Sequence, residues 1–356
     1  VAPSENYANF MRDGWASIPL TDLGVSPVAK NCVGRRDVLS KAFKDLRIIL
    51  PSGEDKVRSN DCYYLYRPHS AFAYYTGVQG VEANPDAVLV LEPNGDSHDP
   101  ILFIMPRSTR DTDAFYRDAK YGELWVGRRY TTEDAKQRYQ IECRNVAELE
   151  KFLSDKKPAV MIRDEDSKVD ELISPHEKDA ELVEFTSAQR FIKEVYEVDE
   201  LQRAVDATGR GFDDMIKVFQ AATKHERGER VVEGAFYTRA RAEGNDLGYN
   251  TIAASGSHAC VLHWTRNDGT VNNGELILID AGIEMNSYYT ADITRTFPVN
   301  GKFTAAQREL YMLVYESQKA GFAAAKPGVT IADINRACQE VLAKGLEKFG
   351  VLPVSA

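Results

Sequence analysis

No stretch of the 356 residues approaches 18 consecutive apolar side chains, so no membrane-crossing helix is expected. Cysteine is scarce: five residues (Cys32, Cys62, Cys143, Cys260, Cys338), odd in number, scattered and without a C-x-x-C pair. That distribution fits reduced thiols in the cytoplasm rather than a disulfide framework. The opening stretch, VAPSENYANFMRDGW, lacks the basic region and apolar core of a secretory leader. Basic residues are outnumbered, 44 against 54, for a net charge of −10. This balance argues against a nucleic acid or an anionic membrane as partner. Internal repeats and low-complexity tracts are also missing.

What is present describes a soluble chain able to bury a large core, with 43% apolar and 28% charged residues. The length suggests two domains. In the first half, short apolar runs alternate with helical patterns. RRDVLSKAFKDL reads as a helix leading into the strand RIIL; AFAYYTG, DAVLVLEPNGD, ILFIMP and AVMIRD read as further strands. TTEDAKQRYQ and NVAELEKFLSDK read as helices, so this half is expected to be an α/β domain with one mixed sheet. ISPHEKDAELVEF is polar and poorly periodic and reads as a connection. The expected domains are therefore residues 1–185 and 186–356. In the second, Leu201, Val205, Phe212, Met215, Ile216 and Phe219 share a helical face, and RVVEGAFYTRARAEG forms another helix ending at Gly244. Four strand candidates follow, YNTIAASG, ACVLHW, ELILID and YTADITRTF, then two more helices. The last carries Ile334, Cys338, Val341, Leu342 and Phe349 on one face. This order describes an α+β unit with helices on one side of a curved sheet.

Two aspartates interrupt the strand patterns. Asp280 ends ELILID, whose continuous apolar run suggests a strand covered on both faces. Asp292 alternates with Thr294 and Thr296, on the face opposite Ala291, Ile293, Arg295 and Phe297. They are twelve residues apart, close enough for adjacent antiparallel strands to set them side by side. Two facing carboxylates repel, and a divalent cation reverses that logic. Carboxylate oxygens suit Mn, Mg or Ca. Equally, Asp280 could bond to a turn backbone, and Asp292 could pair with Arg295 or a distant arginine. His258 and His263 lie in or beside a strand candidate. His263, next to Trp264, reads either as a core histidine or as an imidazole at the mouth of a site.

With these residues in view, LIDAGIEMNSYYTADITRTFPVNGKFTAAQRELY resembles the metal-binding segment of the Xaa-Pro aminopeptidases (aminopeptidase P) of the pita-bread metallopeptidases, and GYNTIAASGSHACVLHW resembles the segment just before it. VRSNDCYYLYRPHSAFAYYTG and GELWVGRRY are similar to parts of that family's N-terminal domain. The resemblance runs from about Arg35 onward. It implies an α/β N-terminal domain followed by part of an α+β pita-bread domain. The family's site has five ligands: two aspartates, one histidine and two glutamates. Asp280 and Asp292 match the aspartates, Asp292 the bridging one. His263 matches a substrate-side histidine that acts in catalysis without binding metal, and Tyr249 a tyrosine near the site. Asp61 and Trp125 match N-domain residues that reach a neighbouring subunit's substrate region in tetrameric members.

No histidine follows His263. The remaining ligands belong to the second half of the family's catalytic domain. The chain is therefore expected to be the N-terminal part of a longer polypeptide, inactive alone. The implied reaction is removal of the residue preceding a proline at position two of a peptide. Two Mn²⁺ ions per site, or other divalent metals, are implied, in a dimer or tetramer. A proline dipeptidase and a non-catalytic pita-bread module binding peptides or proteins are the rival readings.

Overall fold

The computed structural model describes residues 4–16 and 24–352. These form two compact units: Val1–Ala204 together with Glu284–Thr290, and Val205–Ile283 together with Ala291–Ala356.

The first unit is built on a five-stranded mixed sheet. Its strands are β1 (Arg47–Pro51), β2 (Val88–Asn94), β3 (Ser97–Ile104), β4 (Glu142–Asn145) and β5 (Ala159–Met161), in the spatial order β4-β3-β2-β1-β5. β1 pairs antiparallel with β2 and parallel with β5, while β3 pairs parallel with β4. Strand alternation divides the apolar side chains between two cores. Ile48, Leu50, Leu89, Leu91, Leu102 and Val160 face one. Ile49, Val88, Val90, Ile101, Phe103 and Met161 face the other. Such a sheet needs cover on both faces, and that is why the runs 48–50, 88–91 and 101–103 are apolar at every position.

Two segments of this unit depart from the expected pattern. AFAYYTG is a helix, Ser70–Thr76, not a strand. The His69 imidazole accepts from the Ala71 amide at its start, and Gly77 at φ 75° stops it. Both ends are thus satisfied locally, which outweighs the β preference of the aromatics. The polar stretch expected to be a connection contains a helix, Asp179–Gln189, anchored by fully buried Leu182 and Thr186. Two buried positions a turn apart hold the helix with no visible periodicity.

In the second unit an antiparallel sheet comprises β6 (Ile252–Ser255), β7 (Leu276–Ala281) and β8 (Ile293–Pro298), with β7 in the centre. Ile277, Ile279 and Ala281 are buried on one face, with Phe297 opposite Ile277. Phe297 meets Phe212 and Phe219 of the helix Val195–Ala222, and Phe212 meets Phe236 of the helix Gly228–Glu243. Helices therefore cover one side of the sheet. The other face, with Leu276, Leu278 and Asp280, is only half-buried, so β7 is not covered on both faces. The continuous apolar run concealed an alternation of burial. On the long helix, Val205 and Ile216 are exposed; Ala204, Ala207 and Ala222 are buried beside Phe212, Met215 and Phe219. The buried stripe is narrower than the apolar one.

ACVLHW is not a strand. Gly256–Cys260 is a short 3-10 helix, and His263 lies in the turn after it. Helices Ala305–Ala324 and Ile331–Lys348 pack closely where glycine allows. A side-chain carbon at Gly321 would meet Cys338 Sγ at 2.6 Å, and one at Gly345 would meet Leu313 at 2.2 Å. Ile334, Cys338, Val341, Leu342 and Phe349, the expected common face, are all half-buried. Among the described residues, no helix is long and apolar enough to cross a membrane.

Candidate metal centre

The site grows out of the β7–β8 register. Asp280 stands directly opposite Thr294. Asp292, two residues before Thr294, takes the diagonal position on the same open face. The Thr294 hydroxyl donates to Asp280 Oδ2 at 2.7 Å. Tyr249 closes the arrangement from the preceding loop. Its hydroxyl lies 2.6 Å from Asp280 Oδ1 and 2.9 Å from Asp292 Oδ1. Burial and the two carboxylates together raise the Tyr249 phenol far above its ordinary range, so the hydroxyl keeps its proton.

One glycine makes this approach possible. A side-chain carbon on Gly282 would fall 1.7 Å from the Ala291 carbonyl oxygen and 3.0 Å from the Tyr249 ring. The Gly282 carbonyl also accepts from the Gly248 amide, at 2.8 Å, which fixes the residue before Tyr249.

The turn and arginine alternatives for the aspartates do not hold. Asp280 bonds to Tyr249 and Thr294, not to a turn. Arg295 donates to the Thr294 carbonyl, and among the described residues no arginine pairs with Asp292. Asp292 is exposed and Asp280 half-buried, so the desolvation cost is smaller than for carboxylates in a closed strand.

Two carboxylate oxygens converge on one phenol that has a single proton to donate. One of the two contacts is left without a hydrogen unless a carboxyl is protonated or a cation enters. This is a donor set of hard oxygens suited to a divalent metal. Asp280 and Asp292 are the candidates for two of the five ligands that the family resemblance implies.

His263 is not a core histidine. It is exposed, and among the described residues its imidazole forms no hydrogen bond or ion pair with Asp280, Asp292 or Tyr249. Its turn is held by a residue the sequence did not flag. Glu229, fully buried at the start of the helix Gly228–Glu243, accepts from the Ser255 amide, His258 Nδ1, Trp264 Nε1 and the Gly269 amide, each at 2.8 Å. His258 stacks on Trp264 with ring centroids 3.8 Å apart. Gly269 is required there, because a side-chain carbon would sit 2.5 Å from the His258 ring. A lone glutamate in GERVVE carries no sequence signal for such a hub. Thr294 did carry one, through its alternation with Asp292.

Asp61 and Trp125 line one cavity in the first unit, about 350 Å³, together with Tyr64, Tyr66, Arg128 and Arg129. Asp61 is exposed on the turn joining Val57–Ser59 to Cys62–Tyr63, and the Trp125 indole donates to the Tyr116 carbonyl at 2.9 Å. Nearby, carboxylate oxygens of Glu54, Asp86 and Asp166 lie within 4.8 Å of one another. Lys120 pairs with one member of this group, 2.7 Å from Asp86, and with the neighbouring Asp55 at 2.8 Å.

Comparison with known proteins places the chain in a family. Residues 33–160 match the family model for the aminopeptidase P N-terminal domain, and 199–352 match metallopeptidase family M24. Xaa-Pro aminopeptidase 1 of Streptomyces coelicolor is 42% identical over 353 residues, which cover 98% of this chain and 70% of that protein. This chain belongs to the Xaa-Pro aminopeptidases of metallopeptidase family M24. Xaa-Pro aminopeptidase 2 of the same organism is 41% identical over 98% of this chain and 74% of its own length. The low-pH form of Escherichia coli aminopeptidase P superposes with a TM-score of 0.78 at 27% identity, over 96% of this chain and 76% of that one. The fold is accordingly that of M24 members with an N-terminal domain, and membership implies a divalent metal cofactor.

Proposed function

We propose that the chain serves an Xaa-Pro aminopeptidase, which hydrolyses the bond between an N-terminal residue and a proline at position two. The observation that carries this reading is the convergence of Asp280 and Asp292 on Tyr249, within a chain 42% identical to a named Xaa-Pro aminopeptidase. Asp280 and Asp292 are the residues that would hold metal, and manganese suits their hard oxygens. A bound divalent pair would supply hydroxide at neutral pH by lowering the pKa of bound water to about 7. The Tyr249 hydroxyl bonds to both carboxylates and holds them at a fixed spacing. His263, exposed, is the candidate to donate to a substrate oxygen, a contact of the kind worth roughly 10²–10³ in rate.

The substrate preference follows from the bond itself. An Xaa-Pro amide has no N–H and a fixed φ, so peptidases that read an extended backbone handle it poorly. Recognition by metal and imidazole does not need that N–H. Asp61 and Trp125 are the candidates for substrate contact contributed to a neighbouring subunit, in a cytoplasmic dimer or tetramer.

The test measures Mn²⁺ binding and cleavage of an Xaa-Pro-Xaa tripeptide, in this chain and in the polypeptide its reading frame encodes. Saturable Mn²⁺ binding that Asp280→Ala and Asp292→Ala each remove, with cleavage before proline in the encoded polypeptide, supports the reading. Cleavage of the dipeptide Xaa-Pro alone would make it a proline dipeptidase. Unchanged Mn²⁺ binding in both variants would refute the assignment of the aspartates.

A further inference from the structure

Away from the carboxylate pair, the first unit contains a second cavity, about 210 Å³, whose walls carry four cations: Arg35, Arg67, Arg190 and Lys193. Three carboxylates attend them, and the pairing is uneven. Arg35 is fully engaged, with Nε and Nη2 on Glu194 and Nη1 on the Tyr74 carbonyl. Arg67 donates from Nε to Glu284 at 2.7 Å. Glu197, buried, is satisfied by the Tyr289 hydroxyl at 2.7 Å and the Glu194 amide at 2.8 Å.

Arg190 and Lys193 are left over. Among the described residues, Lys193 Nζ donates to the backbone carbonyls of Arg190 and Phe191 and pairs with no carboxylate. Among the described residues, the Arg190 guanidinium makes one hydrogen bond, Nη2 to Ser187 Oγ at the limiting distance of 3.5 Å. Its Nη1 is shut off from solvent with no hydrogen-bond partner. Burial depresses the Arg190 pKa, which is the mark of a guanidinium with no close counter-charge. A desolvated, unpaired cation is costly, and an anion in the cavity removes that cost.

The cavity wall is held in place. Tyr288 adopts a left-handed φ of 67°, which a tyrosine tolerates only when its surroundings impose it. Its amide donates to the Met285 carbonyl, its hydroxyl to the Gly80 carbonyl, and Arg67 lies over its ring. The volume equals that of about seven liquid waters, room for a phosphate or a small carboxylate.

We propose that this cavity is a binding site for a small oxyanion, gripped by the Arg190 guanidinium with Lys193 beside it. It is separate from the peptidase reading and stands whether or not that reading does. A planar guanidinium fork matches two oxygens of a carboxylate or a phosphate alike.

The experiment is isothermal titration calorimetry of this chain with inorganic phosphate and, separately, with acetate, at constant ionic strength. It is repeated on Arg190→Gln and Lys193→Gln, with circular dichroism to verify folding. Saturable one-to-one binding of either anion, weakened about tenfold or more by Arg190→Gln and several-fold by Lys193→Gln, supports the site. The arm that binds tighter names the ligand class. Lys193 is exposed, so its variant decides the matter even if Arg190→Gln misfolds. No saturable binding of either anion, or binding that Lys193→Gln leaves unchanged, overturns the proposal.

Discussion

The Tyr249 hydroxyl sits 2.6 Å from Asp280 Oδ1, and the same oxygen is 2.9 Å from Asp292. One proton thus tethers two like charges in the absence of metal. Tyr249→Phe removes the tether and leaves the carboxylates facing each other. The variant is expected to lose roughly 1–2 kcal/mol of stability without metal, the scale of a charge-assisted hydrogen bond. Saturating Mn²⁺ should recover most of that, because the cation takes over the neutralising role. Urea denaturation with and without Mn²⁺ measures both. A loss that is equal in the two conditions would place the hydroxyl outside the metal centre.

Thr294 touches Asp280 from across the strand pair and not the metal position itself. Thr294→Val keeps the shape and deletes the 2.7 Å donor to Asp280 Oδ2. Partners that orient a ligand typically matter about 10–100-fold in metal affinity. Asp280→Ala and Asp292→Ala should abolish measurable Mn²⁺ binding, and Thr294→Val should weaken it about tenfold. An affinity for Thr294→Val equal to wild type would mean the Asp280 orientation is set by the β7–β8 ladder alone.

Gly282 and Gly209 make a matched pair of opposite sign. A side-chain carbon at Gly282 collides with the Ala291 carbonyl at 1.7 Å, a contact that backbone must move to relieve. Gly282→Ala is expected to cost more than about 2 kcal/mol and to disturb the metal centre, as overpacking does. Gly209, inside the helix Val195–Ala222, has nothing within 4 Å of the added carbon. Gly209→Ala should stabilise by about 0.5–1 kcal/mol through helix propensity. Chemical denaturation of the two variants tests the pair, and a stable Gly282→Ala would contradict the close approach.

The aspartate pair was legible because strand periodicity is local. Alternation alone put Asp292, Thr294 and Thr296 on one face, and the structure keeps them on the open one. Covered strands such as β1 and β2 were legible for the same reason. ACVLHW was misread because its conformation is dictated from elsewhere: Glu229, about thirty residues upstream, draws Ser255, His258, Trp264 and Gly269 onto one carboxylate. No window around Trp264 contains that information. AFAYYTG departs from its strand pattern for the reverse reason: its two caps, His69 and Gly77, lie at its own ends and outweigh its aromatic content.

Acid stability of the first unit turns on Arg47, almost fully buried and held between Glu92 at 2.6 Å and Asp155 at 2.8 Å. The Arg47 hydrogen bond draws the Asp155 carboxyl down to about 2. Burial works the other way on Glu92, but the Arg47 and Lys157 hydrogen bonds still leave it below its ordinary value. A depressed carboxyl stabilises the fold above its unfolded pKa of about 4, and that contribution disappears as pH falls through the folded value. Asp155 is 41% exposed, so solvent screening keeps its share small. Wild type should lose stability between pH 4 and pH 2, and Arg47→Met should lose less over the same window. Denaturation midpoints at half-unit pH steps check this, and parallel curves for the two proteins would rule the cluster out as the acid-sensitive element.

Glu229 is the strongest case for a single residue controlling the turn that carries His263. Its side chain is wholly buried and receives four donors. Glutamine has the same shape but one accepting oxygen, and its amide group meets N–H donors that it cannot satisfy. Buried donors left unpaired cost about 1–3 kcal/mol each, so Glu229→Gln should destabilise the second unit by several kcal/mol. Because Trp264 loses its anchor and its stack on His258, its fluorescence should change at denaturant concentrations where circular dichroism is still native. Glu229→Asp retains the charge but falls short in reach and should be intermediate. If Trp264 emission and the unfolding midpoint of Glu229→Gln matched wild type, the turn would be held by its own backbone, and His263 would owe its position to something other than this carboxylate.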